Sequence, residues 1–80
     1  MLAWIQEPTT KETKRFHMDP KRYAADPWYF VDTGRPIPGE PPLLKSRSHL
    51  HLIDARALWR QLRRDGWMEV KAQWGTDCDF

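Results

Sequence analysis

With 80 residues, 13 Lys and Arg, 11 Asp and Glu, a net charge of +2 and one cysteine, the chain has room for one small domain. A two-domain enzyme, a dinucleotide-binding sheet, an internal disulfide framework and a cysteine-pair zinc site are all excluded. Leu, Ile, Val and Phe make up only 15 of the 80 residues, but five Trp, two Tyr and three Met supply large burial per residue, so the expected core is small and mainly aromatic.

Residues 2–6, Leu-Ala-Trp-Ile-Gln, read as a short strand that Pro8, Thr9 and Thr10 interrupt. A second strand is expected over 13–18, across a polar hairpin loop at 9–12. Its alternation sets Lys14, Phe16 and Met18 on one face and Thr13, Arg15 and His17 on the other. Two Asp-Pro pairs bracket a loop at 19–27. Residues 28–32, Trp-Tyr-Phe-Val-Asp, give the strongest strand signal, with large residues on both faces as in a central strand. Four of the eight residues 35–42 are proline, which predicts an extended, polyproline-like surface crossing. Leu43 and Leu44 are expected to anchor its end. Residues 45–51 are ambiguous, with Leu50 and Leu52 candidates for the interior and His49 and His51 for the surface.

Ala55, Leu58, Trp59 and Leu62 recur at i, i+3, i+4 and i+7 and predict a helix over 53–65. Gly66 is placed as its left-handed C-terminal cap, with Trp67 folding back on Leu62. Residues 67–74 read as a last strand in which Met68, Val70 and Ala72 alternate with Glu69, Lys71 and Gln73. The expected architecture is α+β: a small antiparallel sheet of three to four strands with one C-terminal-half helix packed on one face, in the order β-β-β-α-β. A single domain is expected over 1–75, followed by a frayed acidic tail at 76–80.

Charge is uneven. Residues 11–22 carry five cations against Glu12 and Asp19, and residues 45–65 carry six against Asp54 and Asp65. Two basic segments on a near-neutral chain suit a local anionic contact, or simply a solvated helix face and hairpin tip. The stretch Leu43-Leu44-Lys45-Ser46-Arg47-Ser48 offers cations and hydroxyls suited to a phosphate or carboxylate, or to a polar connection into the helix. Trp59, Trp67 and at least one of Trp4 and Trp28 are assigned to the core, whereas Tyr29 and Trp74 are expected to be exposed anchors. Tryptophans interleaved with arginines also suit base stacking.

Catalytic signals are missing: there is no Gly-rich phosphate loop, GxSxG or HExxH. Cys78 lies between Asp77 and Asp79, which disfavours its thiolate. His49 and His51 share a strand face, but nothing in the sequence fixes His17 near them, so no metal site is expected. No run reaches the roughly 18 apolar residues of a membrane span. The opening MLAWIQEP lacks the basic head and apolar stretch of a secretory leader, so a soluble protein of a reducing compartment is expected.

Several pieces resemble a known group of proteins: Trp4-Ile5 with Pro8, Phe16 before an Asp-Pro, Val31-Asp32-Thr33-Gly34-Arg35-Pro36, Pro41-Pro42-Leu43-Leu44-Lys45-Ser46-Arg47, and Ala55 with Leu58-Trp59, Leu62, Gly66-Trp67 and Trp74. Together they are similar to small uncharacterised proteins of marine picocyanobacteria grouped as a domain of unknown function. The sequence departs from that group at the helix start, where His51-Leu52-Ile53 stands in place of charged residues. The resemblance implies a cytoplasmic, cyanobacterial setting and no activity, ligand or catalytic residue.

The expected function is a non-enzymatic, regulatory interaction protein without catalytic residues, metal or cofactor. It would dock on an acidic surface of a larger protein through Lys45, Arg47, Arg56, Arg60, Arg63 and Arg64, with Tyr29 or Trp74 as anchor. The alternative is a nucleic-acid binder using the same Arg/Trp surface.

Overall fold

The computed structural model describes residues 2–22 and 25–75. The chain forms β1 (Leu2–Gln6), β2 (Thr13–Met18), β3 (Trp28–Ile37), β4 (Glu40–His51), α1 (Leu52–Arg64) and β5 (Met68–Val70). Its five strands make one antiparallel sheet in the order β4-β3-β2-β1-β5. The α+β class therefore stands, but the sheet has five strands and the order is β-β-β-β-α-β.

The extra strand corrects the expected polyproline-like crossing at 35–42. β3 runs on to Ile37, the chain turns through Pro38 and Gly39, and β4 begins at Glu40. Gly39 takes a positive φ of 76° at the turn, which costs a glycine little. The prolines fit because each avoids an inner ladder position. Pro36 falls at a register shift between Arg35 and Ile37, and Pro41 and Pro42 lie on an edge strand. Gly34 permits a close approach, since a Cβ there would lie 2.9 Å from the Leu43 carbonyl oxygen.

The ambiguous residues 45–51 are the second half of β4, which runs into α1 without a loop. His51 caps the helix: its Nδ1 accepts the Ile53 N–H at 3.3 Å. The other end carries both bonds of a Schellman motif, from Gly66 N–H to the Arg63 carbonyl (3.2 Å) and from Trp67 N–H to that of Leu62 (3.0 Å). Gly66 supplies the required positive φ, 94°. Trp67 packs against the core that includes Leu62, as expected.

Strand alternation divides the sheet into two faces. One presents Ile5, Phe16, Tyr29 and Val31 to Ala55 and Leu62 of the helix, with Leu50, Leu52, Leu58, Trp59 and Trp67 packed around them. The molecule is only 18 Å thick in its shortest direction, as one sheet and one helix layer require, and among the described residues the other sheet face has no helix on it. The last strand is shorter than expected. Only Met68–Val70 pairs with β1, and Met68 and Ala72 are exposed. The chain then leaves the sheet edge, and Trp74 packs edge-on against Trp4 at 4.6 Å. The tail 76–80, with Cys78, lies outside the described residues.

The facing of the helix is directly testable. Trp59 meets Phe16 edge to face at 5.2 Å, whereas Arg60 is exposed. Trp59→Ala should cost about 3 kcal/mol and Arg60→Ala within about 0.5 kcal/mol of nothing. Urea denaturation measures both, and equal midpoints would refute this packing.

Candidate functional site

Helical geometry sorts the basic residues of α1. At 3.6 residues per turn, positions 56, 60, 63 and 64 fall within an arc of about 100°, away from the Ala55–Leu62 stripe. Arg56, Arg60, Arg63 and Arg64 are all exposed and form no ion pair among the described residues. Ile53, about one turn before Arg56, lies on the same side and is 69 % exposed. Beside the helix a groove of about 490 Å³ has a lining that includes Phe16, Tyr29, Leu52 and Trp59, together with Arg56, Arg60 and Glu69.

The remaining residues of the expected site separate. Lys45 is exposed and close enough to Lys14 to help lower the pKa of that half-buried amine, after burial itself. Arg47 projects from the opposite sheet face and binds Asp32. The exposed-anchor expectation is corrected for both aromatics. Tyr29 is 7 % exposed and belongs to the core beneath the helix, where the β3 alternation places it with Val31. Trp74 is also 7 % exposed, because it covers Trp4 rather than extending β5.

The face without the helix carries a polar constellation. Asp32 in the centre of β3 is fully buried. Its carboxylate accepts Arg15 Nε and Nη2 at 3.0 and 2.6 Å, and Arg47 Nε and Nη2 at 2.6 and 3.1 Å. His17 Nε2 lies 2.7 Å from Oδ2. Burial pushes the Asp32 carboxyl up, but the hydrogen bonds from Arg47, Arg15 and His17 outweigh it and hold the group below the usual aspartate range. Register explains the meeting: Arg15 is opposite Asp32 on β3, and Asp32 is opposite Arg47 on β4.

The other two histidines also turn to aspartates. His49 Nε2 lies 2.9 Å from Asp19, and His51 Nε2 lies 2.8 Å from Asp26. Since His51 Nδ1 accepts at the helix cap, Nε2 is its donor to Asp26. Both carboxyls are held below their usual range, Asp19 first by the Lys21 backbone N–H and Asp26 first by the Trp28 indole. The imidazoles stand in one row of rings across the sheet. His17 lies 5.4 Å from Phe30, Phe30 stacks on His49 at 4.8 Å, and Trp28 lies 5.0 Å from His49 and 5.5 Å from His51. The sheet thus brings His17 near His49, which the sequence alone did not. Each imidazole engages a different carboxylate, and among the described residues no group of three ligand-type side chains is placed to hold a metal ion.

A family model described as a protein of unknown function (DUF1651) matches residues 2–74. The chain belongs to that family. The match takes in all six elements of this DUF1651 protein and ends on Trp74, the ring that closes over Trp4. No curated protein and no solved structure matches the chain. Among the described residues, no helix is long and apolar enough to cross a membrane.

The DUF1651 chain therefore offers two chemically different surfaces. The helix side presents cations that form no ion pair among the described residues, beside apolar contact area, while the sheet side presents cations clamped to a buried anion. The sequence reading missed the second. Its signal was an aspartate in the otherwise aromatic and aliphatic run 28–32, with Arg15 and His17 two residues apart on one strand face. A charge in a central strand needs a partner.

Proposed function

We propose that this protein is a non-enzymatic docking module that binds an acidic segment of a larger protein along α1, with an apolar side chain of the partner seated in the groove beside the helix. The observation that carries this reading is the contrast between the two sets of arginines. Arg15 and Arg47 are held by a carboxylate, whereas the four helix arginines form no ion pair among the described residues and follow the exposed Ile53 along the same side of the helix. Charges left unpaired on one side of a helix steer an oppositely charged partner and fix its register. An apolar contact at one end of the row supplies affinity. Tyr29 serves as groove lining rather than as an anchor.

The resemblance to small proteins of marine picocyanobacteria supports a cytoplasmic setting in such a cell, and a regulatory role toward a larger enzyme or complex follows by analogy alone. A nucleic-acid partner is the competing outcome. The buried Trp4 and Trp74 disfavour it, because single-strand binding combines phosphate contacts with presented rings.

Affinity capture from native lysate, with the intact chain and with Arg56→Glu/Arg60→Glu, tests the reading. The expected result is an acidic protein recovered in stoichiometric amount, released by salt, and bound at least about tenfold more weakly by the variant, whose melting temperature stays unchanged. Recovery of no such protein, equal retention by the variant, or salt-sensitive binding to oligonucleotides instead would each overturn it.

A further inference from the structure

We infer that the groove beside α1 is a binding site for a free monocarboxylate with an apolar body. Arg56, Arg60 and the Tyr29 hydroxyl hold the carboxylate, and the body lies against Phe16, Leu52 and Trp59. The groove measures about 490 Å³. Small-molecule sites span about 300–1,000 Å³ and are mostly apolar, with a few polar groups that fix orientation. The inference deepens the docking reading and rests on it in one respect: the ligand takes the place given there to the partner's apolar side chain, so it competes with the partner.

Three observations set the ligand's chemistry. First, Tyr29 is 7 % exposed and lines the groove. Among the described residues its hydroxyl has no hydrogen-bond partner, although it is not sealed from solvent. A phenol whose ring is fixed in the core and whose donor is unused offers a fixed point to an acceptor. Second, Arg56 and Arg60 line the same groove one helical turn apart and form no ion pair among the described residues. Like charges at this spacing repel. A carboxylate between them relieves the repulsion and accepts charge-assisted hydrogen bonds. Third, the remaining charged residue of the lining is Glu69 on β5. Two cations against one anion leave a single positive charge, which suits one carboxylate. Glu69 also repels the ligand's anionic end and so turns it toward the helix arginines.

The rest of the lining explains the apolar body. Phe16 is 1 % exposed, and Trp59 meets it edge to face at 5.2 Å, so these rings are in place before any ligand arrives. Preformed walls reduce the ordering lost on binding. A carboxylate without a body leaves this apolar surface wet. A body without a charge leaves the arginines and the phenol in water. The groove rewards a molecule that carries both.

The test is an NMR titration of the full chain with four probes: octanoate, 1-octanol, octylammonium and acetate. Saturable shifts of the Trp59 indole N–H and the Arg60 Nε–H are expected with octanoate. Octanol and acetate, each lacking half of the chemistry, should bind at least about tenfold more weakly, and octylammonium no better than octanol. Tyr29→Phe removes only the hydroxyl and should weaken octanoate binding several-fold at an unchanged melting temperature. Arg60→Glu, an exposed change, should abolish the preference for octanoate over octanol. The titration contains no partner protein, so its failure and that of the lysate capture are told apart. No saturable shift with octanoate, equal binding of octanol or octylammonium, or indifference to either variant would overturn the proposal.

Discussion

Asp32→Ala is expected to lower stability by about 3–5 kcal/mol, because it leaves the buried Arg15 guanidinium at the centre of the sheet without its anion. Arg15 is the severe case, since its side chain is 7 % exposed, whereas Arg47 at 27 % can regain water. A domain of this size has roughly 0.05–0.15 kcal/mol per residue, or about 4–12 kcal/mol in total, so the loss is a large share of the whole. Asp32→Asn keeps an acceptor oxygen and the same volume and should lose less. The order wild type, Asn, Ala in urea midpoint is the check, and equal midpoints for Ala and wild type would show that the cluster carries no net stability.

The same carboxylate sets an acid dependence. Its folded pKa is held below the ordinary aspartate value of 3.8, so as pH falls the unfolded chain takes up a proton first. The stabilisation is complete above that ordinary value and is lost as pH drops through the lower, folded one. Asp19 and Asp26 are displaced in the same direction and add to the slope. Urea midpoints compared between neutral pH and about pH 3 should fall steeply for the wild type and less steeply for Asp32→Asn.

Phe16→Ala should be comparably damaging, at about 3–5 kcal/mol. Phe16 is 1 % exposed, lies between Ala3 of β1 and Val31 of β3 in the register, and receives the edge of Trp59 from the helix. Removing the ring opens a cavity where sheet and helix meet, and the flanking strands cannot close it because their own register holds them apart. Phe16→Leu keeps most of the volume and should cost less than about 1.5 kcal/mol. Denaturation of the pair separates a packing role from a mere requirement for apolar character, and a Leu variant as unstable as Ala would contradict this account.

Some elements were legible because their signal is local. The helix stripe, the Gly66 cap and the two faces of β2 each follow from spacing within one segment, and the structure reproduces them. The proline-rich segment misled for an equally local reason. Pro41 and Pro42 look incompatible with a ladder until β4 is known to be an edge strand. Trp74 looked like an exposed anchor at the end of a strand, but its place against Trp4 depends on where β5 stops.

What the amino-acid order determined by itself was which residues form an amphipathic helix and which strand residues share a side, since periodicity is written along the chain. Only the tertiary structure decided which strands are neighbours and which sheet face the helix covers. Those choices brought Arg15, Asp32 and Arg47 into one row across three strands while leaving the helix arginines in water. Pairing between distant segments depends on the summed burial and hydrogen bonding of the whole sheet, and no single segment carries that sum.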